Sequence, residues 1–114
     1  MTKFDAYHKM KELLTNYYIE AKTTTEKPIA WITSGAPVEF LYAMDVLPIY
    51  PENYAAMCAA NHQSIELMES AEAEGFSQDI CAYARTDFGA DITQGGPAAG
   101  LPAPHFLLCS TNIC

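Results

Sequence analysis

Ser34, Glu52, Cys81 and Cys114 are the residues of this sequence best placed to do chemistry. Ser34 lies in Trp31-Ile-Thr-Ser-Gly-Ala-Pro-Val-Glu39 and Glu52 in Leu47-Pro-Ile-Tyr-Pro-Glu-Asn-Tyr54, and both segments read as strand ends that turn into helices. Ligands of open α/β sheets sit at the carboxyl ends of the strands, so the two side chains are delivered to one candidate site. A carboxylate there can serve as a base. Cys114 follows a third such strand and would make that edge a metal site. Cys81 and Cys114 together have the chemistry of iron–sulfur ligands, which come from distant segments as readily as from one motif.

Each of these residues also has a plainer reading. Ser34-Gly35 is ordinary turn chemistry, and no Gly-x-Ser-x-Gly frame marks Ser34 as a nucleophile. Glu52 after Pro51 suits the first turn of a helix through the helix dipole. Free cysteines often simply pack, and Cys58 and Cys109 lie in apolar contexts that predict core positions. With no Cys-x-x-Cys pair and with His8, His62 and His105 scattered, the zinc-finger and zinc-ribbon patterns are missing, and the histidines read as structural. Arg85 is the only Lys or Arg after Lys27 and is expected to pair with Asp79, Asp87 or another nearby acid. Glu66, Glu69, Glu72 and Glu74 read as a solvated helix face.

The elements that must position these groups follow from periodicity. Phe4, Tyr7, Met10, Leu14, Tyr17 and Ala21 recur every three or four residues, which predicts an amphipathic helix over residues 3–22 with that face inward. Residues 29–33 and 46–50 have the length of buried strands, and Pro48 makes the second short or an edge. A helix from Pro37 to about Met44 should turn Val38, Leu41 and Tyr42 inward. Further helices are expected over 54–60, from Ser64 to Glu74 with Ile65, Met68 and Ala71 inward and Gly75 as its stop, and from Ser77 to about Thr86. Residues 93–104, rich in Gly and Pro, predict a surface loop, and 105–109 a third strand.

Alternating helices and strands imply an α/β fold: a three-layer, Rossmann- or flavodoxin-like domain with a short parallel sheet flanked by helices. Right-handed crossovers would bring the three strand ends to one edge. The expected organisation is an amino-terminal helix and connector over 1–27 and a partial cluster-binding domain over 28–114. A stop at Cys114, before any helix covers the third strand, reads as an incomplete fragment.

The 114 residues suit a single core, and half of them are hydrophobic. Residues 1–27 hold five Lys against four acids, whereas residues 28–114 hold Arg85 against ten acids. That balance argues against nucleic acid, which needs clustered cations. No run of about twenty apolar residues suggests a membrane span, and the lysine-rich start lacks the apolar region of a signal peptide, so a cytoplasmic protein is expected.

Four blocks in order, Lys27-Pro-Ile-Ala-Trp-Ile-Thr-Ser-Gly-Ala-Pro-Val-Glu39, Tyr50-Pro-Glu-Asn-Tyr54, Asp79-Ile-Cys-Ala-Tyr-Ala-Arg85 and Leu108-Cys-Ser-Thr-Asn-Ile-Cys114, resemble the amino-terminal part of a subunit of the 2-hydroxyacyl-CoA dehydratase and benzoyl-CoA reductase family. The resemblance implies a [4Fe–4S] cluster with Cys81 and Cys114 as the first two ligands and a third from a carboxy-terminal domain absent from this chain. It places Ser34 and Glu52 facing the open iron and the substrate. The implied reaction is single-electron (ketyl radical) dehydration of a 2-hydroxyacyl-CoA to an enoyl-CoA, or reduction of an aromatic acyl-CoA. Implied partners are a homologous second subunit and an ATP-dependent iron–sulfur activator. Two alternatives stand beside this reading: a non-catalytic electron-relay or assembly subunit, and an unrelated small-molecule-binding α/β domain.

Overall fold

A computed structural model describes residues 3–111, so the expected ligand Cys114 lies outside the described residues. In chain order the elements are α1 (Lys3–Thr23), β1 (Ile29–Ile32), α2 (Val38–Ala43), β2 (Leu47–Ile49), α3 (Pro51–Ala60), α4 (Ser64–Ala73), α5 (Ala82–Thr93) and β3 (Phe106–Leu108), with a 3₁₀ turn at Pro97–Ala99. The strands form one parallel sheet in the order β2-β1-β3. This is the order that opens a flavodoxin-like sheet, and its chain reversal falls between β1 and β3.

The period-two alternation of β1 divides the core. Ile29, with Leu47 and Ile49 of β2, faces a layer containing Tyr18, Ala21, Tyr54, Cys58, Leu67, Ala90 and Leu101. Ala30 and Ile32 face α2, against Ala36, Leu41 and Val46. Pro48 is tolerated because β2 is an edge strand; its carbonyl accepts the Tyr17 hydroxyl.

Several expectations needed correction. α1 meets the body through Tyr17, Tyr18 and Ala21, so Phe4, Tyr7, Met10 and Leu14 are exposed although their spacing predicted an inward face. Tyr18, outside that stripe, is buried with its ring centroid 6.0 Å from that of Tyr54. In α2 and α4 the inward residues are Leu41, Leu67 and Ala71, while Tyr42 and Ile65 are exposed. Helix α5 starts at Ala82, not Ser77, whose hydroxyl instead accepts the Asp79 N–H in a preceding turn.

The Gly/Pro-rich segment before β3 is no loose surface loop. Leu101 is 1% exposed, the Tyr54 hydroxyl bonds to the carbonyls of Gly95 and Pro97 at 2.9 and 2.7 Å, and Trp31 Nε1 donates to the Pro102 carbonyl at 2.9 Å. Its glycines let the backbone approach Tyr54: a Cβ on Gly96 would stand 2.5 Å from that hydroxyl. The strap leads into β3 through His105, whose Nδ1 accepts the Ile29 N–H at 3.0 Å.

Helices α4 and α5 pack most closely at Gly89, where a Cβ would lie 1.8 Å from the Leu67 carbonyl oxygen. Gly89→Ala must therefore push the helices apart and should cost about 3 kcal/mol in urea denaturation. A loss below about 0.5 kcal/mol would contradict this packing.

Candidate functional site

The carboxyl edge of the sheet is fastened by Thr33. Its N–H donates to the Leu108 carbonyl at 3.1 Å and its hydroxyl accepts the Ser110 N–H at 2.9 Å, joining the ends of β1 and β3. The next residue, Ser34, donates its N–H to Glu52 Oε1 at 3.2 Å. Glu52 can reach it because α3 opens at Pro51, a turn earlier than the sequence suggested, with Tyr50 as its extended cap residue. Ser34 and Glu52 are thus neighbours on one edge, both exposed, and they line a recess of about 320 Å³. The Ser34 contact uses the backbone amide, which leaves the hydroxyl out of this contact.

Glu52 also borders a larger cavity of about 620 Å³, walled mainly by apolar groups such as Trp31, Tyr83, Phe88 and Leu108. Cys81 lines the same cavity. It is exposed and occupies the N-cap position of α5 at φ −45°, ψ 135°, rather than a place inside a helix. Its carbonyl accepts the Arg85 N–H at 3.0 Å, while Arg85 Nε donates to the Ile80 carbonyl at 3.0 Å. The Arg85 guanidinium also pairs with Glu72, so the four-residue spacing from Cys81 to Arg85 clamps the turn that presents the thiol. The partner is neither Asp79 nor Asp87, and Glu72 is partly buried rather than part of a solvated face.

Cys109 was expected in the core but is exposed, past the end of β3 at Leu108, a strand paired on one side among the described residues. It too lines the cavity. Cys58 is core as expected, and burial pushes its thiol up to about 11. No group of three His, Cys, Asp or Glu among the described residues could hold a metal ion. Cys81 has the donor type and exposure of a cluster ligand, but the described residues supply only part of a ligand set.

Asp87 was missed as a site residue. It is 7% exposed, lines the cavity with Glu52, and its Oδ1 is buried with no hydrogen-bond partner among the described residues. Burial, and secondarily the negative charge of Glu52, push its carboxyl up to about 8. The signal was present: with α5 starting at Ala82, the inward spacing Asp87–Ala90 places an acid on the buried face. Ending that helix near Thr86 hid the pattern.

A family model described as "2-hydroxyglutaryl-CoA dehydratase, D-component" matches residues 33–114. The chain belongs to this family. It is 46% identical, over 92% of its length, to the (R)-2-hydroxyisocaproyl-CoA dehydratase alpha subunit of Clostridioides difficile, covering 26% of that protein. Against the (R)-phenyllactyl-CoA dehydratase alpha subunit of Clostridium sporogenes it is 40% identical over 84% of its length, covering 23%. A benzoyl-CoA reductase subunit of Thauera aromatica is 29% identical over 93% of the chain, with 26% covered. The chain spans about a quarter of the length of these relatives.

The family match covers Ser34, Glu52, Cys81 and Asp87, each of which borders the recess or the larger cavity, with Glu52 common to both. Asp87 makes a pH dependence of stability that runs against the usual carboxylate behaviour. It stays protonated in the folded chain to about pH 8 but ionises in the unfolded chain above its ordinary 3.8, so the folded form binds the extra proton between those values. Stability should therefore be greatest below that window and fall as pH rises through it, by at most about 1.4 kcal/mol per pH unit. Urea denaturation between pH 5 and 8 should show this slope, and Asp87→Asn should remove it. A slope that survives in Asp87→Asn would contradict the burial of this acid as its source.

Proposed function

We propose that this chain forms the amino-terminal, substrate-facing part of a subunit that dehydrates a 2-hydroxyacyl-CoA to an enoyl-CoA, with Glu52 as the group that handles protons and Ser34 as its neighbour. The observation that carries this reading is the Ser34–Glu52 contact at the carboxyl edge of the sheet, opening on an apolar cavity that Cys81 also lines. Names of the relatives, dehydratase alpha subunits above all, support the same chemistry.

A [4Fe–4S] cluster held by Cys81 and Cys114, with a third ligand from outside this chain, would supply electron transfer and Lewis acidity. Arg85 keeps the Cys81 turn in place for it through the Ile80 carbonyl and Glu72. The apolar wall of Trp31, Phe88 and Leu108 excludes water and suits an acyl group without charge on its side chain. Glu52, in the first turn of a helix, can accept a proton from the carbon next to the reacting one. The chain would work in a complex with a homologous second subunit, reduced by an ATP-dependent iron–sulfur activator. A cytoplasmic setting fits the finding that no helix among the described residues is long and apolar enough to cross a membrane. Reduction of an aromatic acyl-CoA is the second reading, favoured by the 29% identity to the benzoyl-CoA reductase subunit.

In the assembled enzyme, Glu52→Gln should lower kcat for a 2-hydroxyacyl-CoA by about 100-fold or more while bound iron is unchanged. Cys81→Ala should lose iron, whereas Cys58→Ala should keep it and cost about 1–2 kcal/mol through lost packing. Iron retained in full by Cys81→Ala, measured by anaerobic iron and sulfide analysis, would refute the ligand assignment.

A further inference from the structure

We propose that Asp87 and Glu52 share a single proton which Asp87 holds at rest, making Asp87 a positioning residue that stores the proton Glu52 delivers. This rests on the reading of Glu52 as the proton-handling group. The two side chains border one cavity from different helices, Glu52 in the first turn of α3 and Asp87 on the buried face of α5. Glu52 is exposed and Asp87 is almost wholly buried, so a proton shared between them resides on the buried member, where charge is costlier. The orphaned Oδ1 of Asp87 marks a polar group for which the fold provides no structural partner among the described residues.

The surroundings leave Glu52 as the charge that matters. From α3, Tyr54 and Cys58 face Asp87, and from α1, Tyr18; burial raises all three above their ordinary values, so they are neutral near pH 7. The cavity wall adds Cys81, Tyr83 and Cys109. On α4, which packs against α5 at Gly89, the acid Glu72 is already paired with Arg85.

Elimination of water from a 2-hydroxyacyl thioester gives one proton to the departing hydroxide and takes one from the β-carbon, with no net oxidation. In the first half, the Asp87 O–H breaks and, by relay across the cavity that both residues line, an O–H forms on Glu52, which passes a proton to the departing hydroxide to make water. Both carboxyls of the cavity are then unprotonated at the moment the β-proton must be removed. In the second half the β C–H breaks, its electron pair stays on carbon to form the double bond, and the proton returns through Glu52 to Asp87. The resting state is restored and one water has left.

The test labels the carboxyl carbons of the 114-residue chain with 13C and follows them by NMR against pH, in the unsubstituted chain, in Glu52→Gln and in Asp87→Asn. A carboxyl titrating near 8 should be present, disappear in Asp87→Asn and move to lower pH in Glu52→Gln. The last comparison changes only an exposed residue, so it holds even if Asp87→Asn does not fold. In the assembled enzyme, Asp87→Asn should lower kcat about 100-fold at unchanged KM and abolish the fall in kcat above about pH 8. An Asp87 carboxyl titrating in the ordinary carboxylate range, no response to Glu52→Gln, or a parental pH profile in Asp87→Asn would each overturn the proposal. Loss of the reading of Glu52 itself would appear separately, as an active Glu52→Gln enzyme with the carboxyl coupling intact.

Discussion

Thr33 is the constraint on which the site depends. One residue joins the carboxyl ends of β1 and β3 through both its N–H and its hydroxyl, and so fixes where the chain leaves the sheet. Ser34, the next residue, is thereby held with its N–H toward Glu52, and the first turn of α3 is tied to the end of β1. Because β1 is the strand paired on both sides, a shift of it moves the strand walls of the cavity, Trp31 on β1 and Leu108 on β3. The switch between β1 and β3 is also where an open parallel sheet leaves a crevice, so the geometry that closes the fold is the geometry that opens the site.

Around that edge the molecule separates two carboxyls by environment. Glu52 lies in solvent at a helix start, and Asp87 lies under the cavity against Tyr18, Tyr54 and Cys58. Burial does most of this work and the Glu52 charge adds to it. At the start of α5 a different device operates. Arg85 neutralises Glu72 and holds the Ile80 carbonyl, so the turn bearing Cys81 is kept rigid by an ion pair outside the cavity. One helix thus carries both the turn that presents the thiol and the buried acid.

Much of the edge was legible in the sequence because it depends on local rules. Strand length, Gly35 and the turn at Pro51 were enough to bring Ser34 and Glu52 together, although α3 starts at Pro51 rather than at 54, and Pro48 correctly marked an edge among the described residues. What escaped depended on tertiary contact. The α1 stripe was read as core, yet only its carboxyl end meets the body. The Gly/Pro segment was read as surface, although Tyr54 and Trp31 bind its carbonyls and bury Leu101. Cys109 looked apolar by its neighbours but sits past the end of β3, which is paired on one side among the described residues. Asp87 was lost with the carboxyl half of α5, because a helix ended near Thr86 leaves out the inward spacing that puts this acid on the buried face.

The most direct measurement of the central claim is a crystal structure of the assembled protein with a non-reactive acyl-CoA bound. The account predicts the acyl group in the cavity bounded by Trp31, Cys81 and Asp87, with its β-carbon within reach of the Glu52 carboxylate. An acyl group seated elsewhere, for instance in the groove between α1 and α3 that Tyr18 and Met57 line, would contradict it.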